Sequence, residues 1–160
     1  MTHFQKILAL TLITMTLNIN ARPTLPPDGL FIDGQKGLKI DAWSWGASQS
    51  GTTHMGAGSG AGKASFQDIS FTRLSDSNTA MLMIKLSIGS HFPEVTLRQG
   101  NVTIVMTDVL VTSISFNGAT NPVGNGDVLR ENVTLNFAEF NMTIDGSSAC
   151  FKIAENLACN

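Results

Sequence analysis

Apolar and polar positions alternate with a period of two along much of this chain, the pattern of strands that bury one face. Residues 29–33 (GLFID) predict a short strand, followed by a turn at 34–37. Residues 38–46 predict a second strand, with Leu38, Ile40, Ala42 and Ser44 on one face and Lys39, Asp41, Trp43 and Trp45 on the other. Residues 63–73 (KASFQDISFTR) predict a third. Residues 94–98 and 101–107 flank Gln99-Gly100, a hairpin signal, and 109–116 continue after a bend. Residues 131–140 alternate with Val133, Leu135 and Phe137 inward, and Met142 and Ile144 extend the strand.

Residues 76–89 (DSNTAMLMIKLSIG) depart from this pattern and predict a helix. Asp76 or Ser77 can cap its start, and Gly89 stands where a C-terminal stop belongs. Met81, Ile84 and Ile88 fall at i, i+3 and i+7, and Leu82 and Leu86 at i and i+4. Residues 47–62 are rich in Gly and Ser, with Met55 as the one long apolar side chain. They predict a long exposed loop or extended hairpin, because they carry too little to bury. Residues 117–127 (NGATNPVGNGD) predict a second loop. Short strands with one helix predict a mainly β fold. We expect a small β-barrel or sandwich with one flanking α-helix and a long Gly-rich extended loop.

The start of the chain follows other rules. Residues 1–6 carry one Lys and no acid, residues 7–19 (ILALTLITMTLNI) are uncharged and mostly apolar, and a small residue, Ala21, precedes Arg22. This is the layout of a secretory signal peptide cut after Ala21. The apolar run is short of the ~20 residues a membrane span needs, so no stable membrane insertion is expected after cleavage. The expected organisation is a signal peptide at 1–21, a Pro-rich lead-in at 22–28, one β domain at 29–146 and a tail at 147–160. The expected location is secreted or periplasmic.

Composition narrows the function classes. The chain has 160 residues, 14% of them charged, with a net charge of −2, and its Lys and Arg are scattered singly. No basic stripe is present for nucleic acid or an anionic membrane. The two cysteines, Cys150 and Cys159, lie close together near the end of the chain. An oxidising compartment favours an internal bridge between them, with a free or intermolecular thiol as the alternative. A metal pair is disfavoured, since no His or further Cys accompanies them.

Motifs for catalysis are weak. Residues 56–65 (GAGSGAGKAS) imitate a phosphate-binding loop, but Ala57 replaces its first glycine and Ala64 its metal-binding hydroxyl, and a strand pattern follows. Ser48 comes nearest to a nucleophile elbow, but Ser50 takes the place of the last glycine. His54 and His91 have no neighbouring Cys or acid at ligand spacing. Asn101, Asn132 and Asn141 begin N-x-Thr triplets, which an Asn- and Thr-rich β protein produces by chance. No catalytic residue, cofactor or metal is expected, and the chain reads as a structural or binding protein.

Several blocks in order resemble one family. They are GLFIDG at 29–34, IDAWSWGAS at 40–48, HMGAGSGAGKASFQDISFTR at 54–73, the helix ending in Gly89-Ser90-His91, MTDVLVTSI at 106–114 and ENVTLNFAEF at 131–140. This set resembles Hcp, the haemolysin-coregulated protein of bacterial type VI secretion, over residues 29–144. The resemblance implies a small β-barrel with one flanking helix, assembly into homo-hexameric rings, and stacking of rings into a tube. It implies small effector proteins or other type VI secretion components as partners. It assigns the glycine-rich loop to ring-to-ring contact, with Thr52, Thr53, His54, Met55, Gly56 and Lys63 as the contact residues. Trp43 and Trp45 are the candidate core or interface anchors.

The chain departs from the family pattern in its N-terminal signal layout, in a shorter connection at 34–40 and turn at 99–101, and in its two-cysteine tail. Two other classes remain beside the tube protein. One is an exported monomeric binding module that reuses the barrel. The other is a small secreted hydrolase, which needs a pocket with convergent polar groups.

Overall fold

The computed structural model of the protein describes residues 28–33, 37–51, 62–119 and 128–159. The expected signal peptide and most of the lead-in, the tip of the Gly-rich loop at 52–61 and most of the loop at 117–127 lie outside the described residues. No helix among the described residues is long and apolar enough to cross a membrane.

The chain runs through β1 (Gly29–Ile32), β2 (Ala42–Ser44), β3 (Ala47–Ser48), β4 (Ser65–Phe66), β5 (Ile69–Leu74), α1 (Ser77–Ile88), β6 (Phe92–Gln99), β7 (Val102–Ala119), β8 (Val128–Asn136), β9 (Glu139–Ile144), β10 (Ser147–Lys152) and β11 (Leu157–Ala158). Among the described residues the fold is mainly β with one helix, as expected. Its organiser is one long, kinked hairpin. Residues 102–107 of β7 lie between β6 and β9, whereas residues 110–119 pair with β8. Strands β8 and β9 run in succession along the same edge of β7, interrupted at Phe137-Ala138.

Opposite that interruption Asp108 takes a left-handed conformation (φ 53°), which Asp tolerates better than most residues. The register also shifts between Val111 and Ser113. Thr112, inside that bulge, donates its hydroxyl to Asp68 at 2.6 Å, and Asn136 donates to the same carboxylate at 2.8 Å. The hairpin thus contributes to two sheets, β1-β6-β7-β9-β10-β11 and β7-β8-β5-β2, with all partners antiparallel.

Period-two alternation fills the single core between them. Ile69 and Phe71 from β5, Ile104 and Met106 from β7, and Val133 and Leu135 from β8 are all buried, with Val95 and Leu97 from β6. Phe137 and Phe140 close one end. Burying each such side chain contributes about 1.5–3 kcal/mol.

Helix α1 has the predicted ends. Asp76 accepts from the Asn78 N–H at 2.7 Å, while the Thr79 hydroxyl accepts from the Asp76 N–H at 3.1 Å. Gly89 adopts φ 61°, and its N–H and that of Ser90 donate back to the carbonyls of Leu86 and Lys85. The two expected apolar sets do not both face inward throughout. Leu82 is fully buried, with Met81 and Leu86 packed beside it, but Ile84 and Ile88 are exposed.

Several expected boundaries change. The strand expected at 38–46 shrinks to β2. Leu38 only bridges Leu30, and Leu38, Ile40, Trp43 and Trp45 all reach the core from what were read as opposite faces. The strand expected at 63–73 breaks at Gln67-Asp68, whose groups serve other elements: Gln67 O accepts from Trp45 and the Asp68 side chain from Thr112 and Asn136. Residues 147–158, read as a tail, form β10 and β11 and widen the first sheet beyond β9.

Candidate functional site

The Gly-rich segment rises from a paired stem. Ala47 faces Phe66 and Ser48 faces Ser65 across β3 and β4. The pairing continues outward, since the Gly62 N–H donates to Ser50 O at 3.3 Å and the Gln49 side chain donates to Gly62 O at 2.6 Å. A Cβ on Gly62 would sit 2.6 Å from Ser50 Oγ and 2.8 Å from Ser50 O, so this close approach requires glycine. Residues 47–51 are exposed and carry no large apolar side chain, so this side of the stem leaves the sheets without adding to the core.

An aromatic cluster fixes the base of this arm. The Trp45 ring lies 4.8 Å from Phe140, 5.7 Å from Phe137 and 6.2 Å from Phe66 between centroids. Phe66 in turn lies 5.2 Å from Phe151 on β10. The Trp45 indole N–H donates to Gln67 O at 2.9 Å, so the ring is buried on its apolar body and satisfied at its polar tip. Trp43 has a different place: its indole donates to Gln99 Oε1 at 2.6 Å, and its ring lines a surface depression with Ile40, Asp41, Arg98 and Gln99. Both tryptophans are half-buried and packed against the core.

Of the contact residues expected from the loop, Lys63 is exposed at the foot of the arm, while Thr52, Thr53, His54, Met55 and Gly56 lie outside the described residues. His91 is exposed, with Nδ1 2.5 Å from Asp108 at the kink of β7. Cys150 and Cys159 form a disulfide, with Cα atoms 5.2 Å apart.

The sequence did not reveal two features. The first is a buried ion pair, Arg73 and Glu131, which face each other directly across β5 and β8 and are each 1% exposed. Arg73 Nε lies 3.4 Å from Glu131 Oε1 and donates to Leu74 O at 3.2 Å, and a further guanidinium nitrogen pairs with Asp76 at the helix cap. The Ser75 hydroxyl donates to Glu131 Oε2 at 3.3 Å. Partial desolvation pushes the Asp76 carboxyl up, but hydrogen bonds from Arg73 and Asn78 and the Arg73 charge outweigh it and hold it below its usual range. The second feature is an open apolar groove between the start of α1 and the ends of β7 and β8, lined by Thr79, Ala80, Met83, Phe116 and Leu129. Phe116 and Leu129 are 43% and 47% exposed there, and nothing in the local alternation marked them as a joint surface.

The model of one protein family, described as type VI secretion system effector, Hcp, matches residues 33–144. Protein hcp1 of Pseudomonas aeruginosa is 47% identical over 86 residues, covering 48% of this chain and 51% of that protein. The chain thus spans about half the length of that relative. Among solved structures, one described as a type six secretion system protein superposes with a TM-score of 0.69 at 20% identity, covering 81% of this chain and 97% of the other. Hcp1 from Salmonella typhimurium superposes with a TM-score of 0.62 at 23% identity, covering 81% and 96%. A type VI secretion system effector from Yersinia pestis gives the same score and identity over 78% and 98%. The structural likenesses establish the fold, and the family match extends through β2 to β9, including the Gly-rich segment and Trp45, Phe66, Phe137 and Phe140 at its base. This chain belongs to the Hcp family of type VI secretion, a family of structural tube proteins and not of enzymes.

Proposed function

We propose that this chain is a self-assembling tube subunit, forming homo-hexameric rings that stack through the Gly-rich arm. The observation that carries this reading is the arm itself. Its stem is paired, anchored by Trp45 and exposed at residues 47–51, and the composition of 47–62 offers little to bury, so a neighbouring molecule supplies its contacts. Within a ring, the groove at Phe116 and Leu129 and the outward face of Ile84 and Ile88 supply apolar area for lateral contact. The lumen carries small effector proteins. Residues 1–21 direct the chain through the general secretory route, so it acts in the periplasm or outside the cell.

Deleting residues 52–63 tests the arm. The expected outcome is rings that no longer stack, seen in electron micrographs, with the far-ultraviolet spectrum unchanged. Tubes that survive the deletion contradict the assignment. A second reading, an exported monomeric binding module, is favoured by one feature. The disulfide-clipped strands β10 and β11 cover the β9 edge of the first sheet, where another chain could otherwise pair.

A further inference from the structure

Glu139 is placed against the disulfide. Cys150 in β10 faces Asn141 on β9 and, on its other side, Cys159 just past β11, whose N–H donates to Cys150 O at 3.2 Å. Glu139 lies two residues along β9 from Asn141, on the same face of the sheet. Its Oε1 is 3.7 Å from the sulfur of Cys150 and 3.7 Å from that of Cys159. Neither sulfur of a disulfide carries a proton, so these contacts are not hydrogen bonds. No ion pair among the described residues involves Glu139. A half-buried carboxylate is therefore held against two sulfurs by strand register, while Lys152, opposite it on β10, pairs with Glu155 instead.

We propose that in the reduced protein Cys150, Cys159 and Glu139 form a binding site for a thiophilic divalent cation of the zinc type. The three donor atoms already lie within 4.8 Å of one another. A tetrahedral zinc with Zn–S near 2.3 Å and Zn–O near 2.0 Å sets sulfur and oxygen roughly 3.5 Å apart, close to the spacing present here. The sulfurs must separate to about 3.8 Å to share one such ion. Rotation of the two side chains can supply this, because β10 and β11 pair through Phe151 with Ala158 and Lys152 with Leu157 independently of the S–S bond. All three residues are half-buried, which leaves water access to the fourth position.

The chemistry balances with a dithiol reductant. Two electrons and two protons pass to the bridge and give two thiols, while the reductant closes to its own disulfide. As the cation binds, each thiol gives its proton to solvent and two metal–sulfur bonds form. Metal and disulfide are mutually exclusive on the same two sulfurs. The site thus exists in a reducing compartment and vanishes in an oxidising one.

The test uses the full chain, reduced with a phosphine, which takes oxygen from water to become its oxide as the bridge becomes two thiols, and titrated anaerobically with Co²⁺, then Zn²⁺. The reduced protein should bind one Co²⁺ with thiolate charge-transfer bands in the near ultraviolet, which Zn²⁺ abolishes. The oxidised protein should show none. Glu139→Gln should weaken binding by more than about ten-fold, the low end of what changes beyond the ligands themselves cost, with an unchanged far-ultraviolet spectrum. Absence of the bands in the reduced protein, equal binding in the oxidised protein, or unchanged affinity in Glu139→Gln each overturns the proposal. One readout needs no variant. Saturating Zn²⁺ should slow reoxidation of the thiols by about ten-fold or more, in line with the thiolates being occupied. An unchanged rate contradicts the site.

Discussion

Arg73 and Glu131 are a pair of side chains that meet only in one register of two strands. They are directly opposed between β5 and β8 and lie fully inside, so losing one leaves the other charged and buried. Glu131→Ala should cost about 3–5 kcal/mol in denaturant unfolding, whereas replacing both residues by apolar ones of similar size should cost far less or stabilise. A single mutant as mild as the double one would show that the pair is not held as described. Asp76 gives a pH dependence with a definite sign. Its carboxyl is depressed in the folded state, so its contribution is complete above the ordinary value of 3.8 and fades as pH falls through the lower folded value. Asp76→Asn keeps a capping side chain but should flatten that part of the acid unfolding curve. The Arg73–Glu131 pair was not legible in the sequence because alternation counts apolar positions. It passes over a charged residue that points inward with a partner 58 positions away.

At the scale of elements, the helix and its caps were legible because Asp76, Thr79 and Gly89 act through contacts a few residues apart. The inward face of β8 was legible for the same local reason. The segment 38–46 was not. Trp43 is placed by its pairing with Phe71 and its bond to Gln99, and Trp45 by the Phe66, Phe137 and Phe140 cluster, and these partners are distant in sequence. Trp45→Ala should cost about 3–5 kcal/mol and should also expose the arm to proteolysis at lower denaturant than the barrel. Coincident loss of arm and barrel would show that Trp45 does not anchor the arm separately. The C-terminal strands give a further expectation. The closed loop between Cys150 and Cys159 is short, so replacing both cysteines with Ser should lower stability of the oxidised protein by about 2–3 kcal/mol without unfolding it.

The whole molecule is a single core wrapped by one kinked hairpin, with an arm on one side and an apolar groove beside the helix. The family and the mainly β class were legible from ordered blocks, above all the WSWGAS element and the glycine-rich stretch after it. The groove was not, because Phe116, Leu129 and Met83 become neighbours only when the hairpin folds onto α1. Charge placed there, as in Leu129→Glu, should leave the subunit folded and weaken assembly at micromolar concentration, read by sedimentation. Unchanged assembly would remove the groove from the lateral contact. The most direct test of the account is the mass of purified residues 22–160 by light scattering over a wide concentration range, with micrographs of the main peak. The account predicts a ring-shaped particle of about six subunits, as forms when the rotation between head-to-tail neighbours closes. A monomer at every concentration would contradict it.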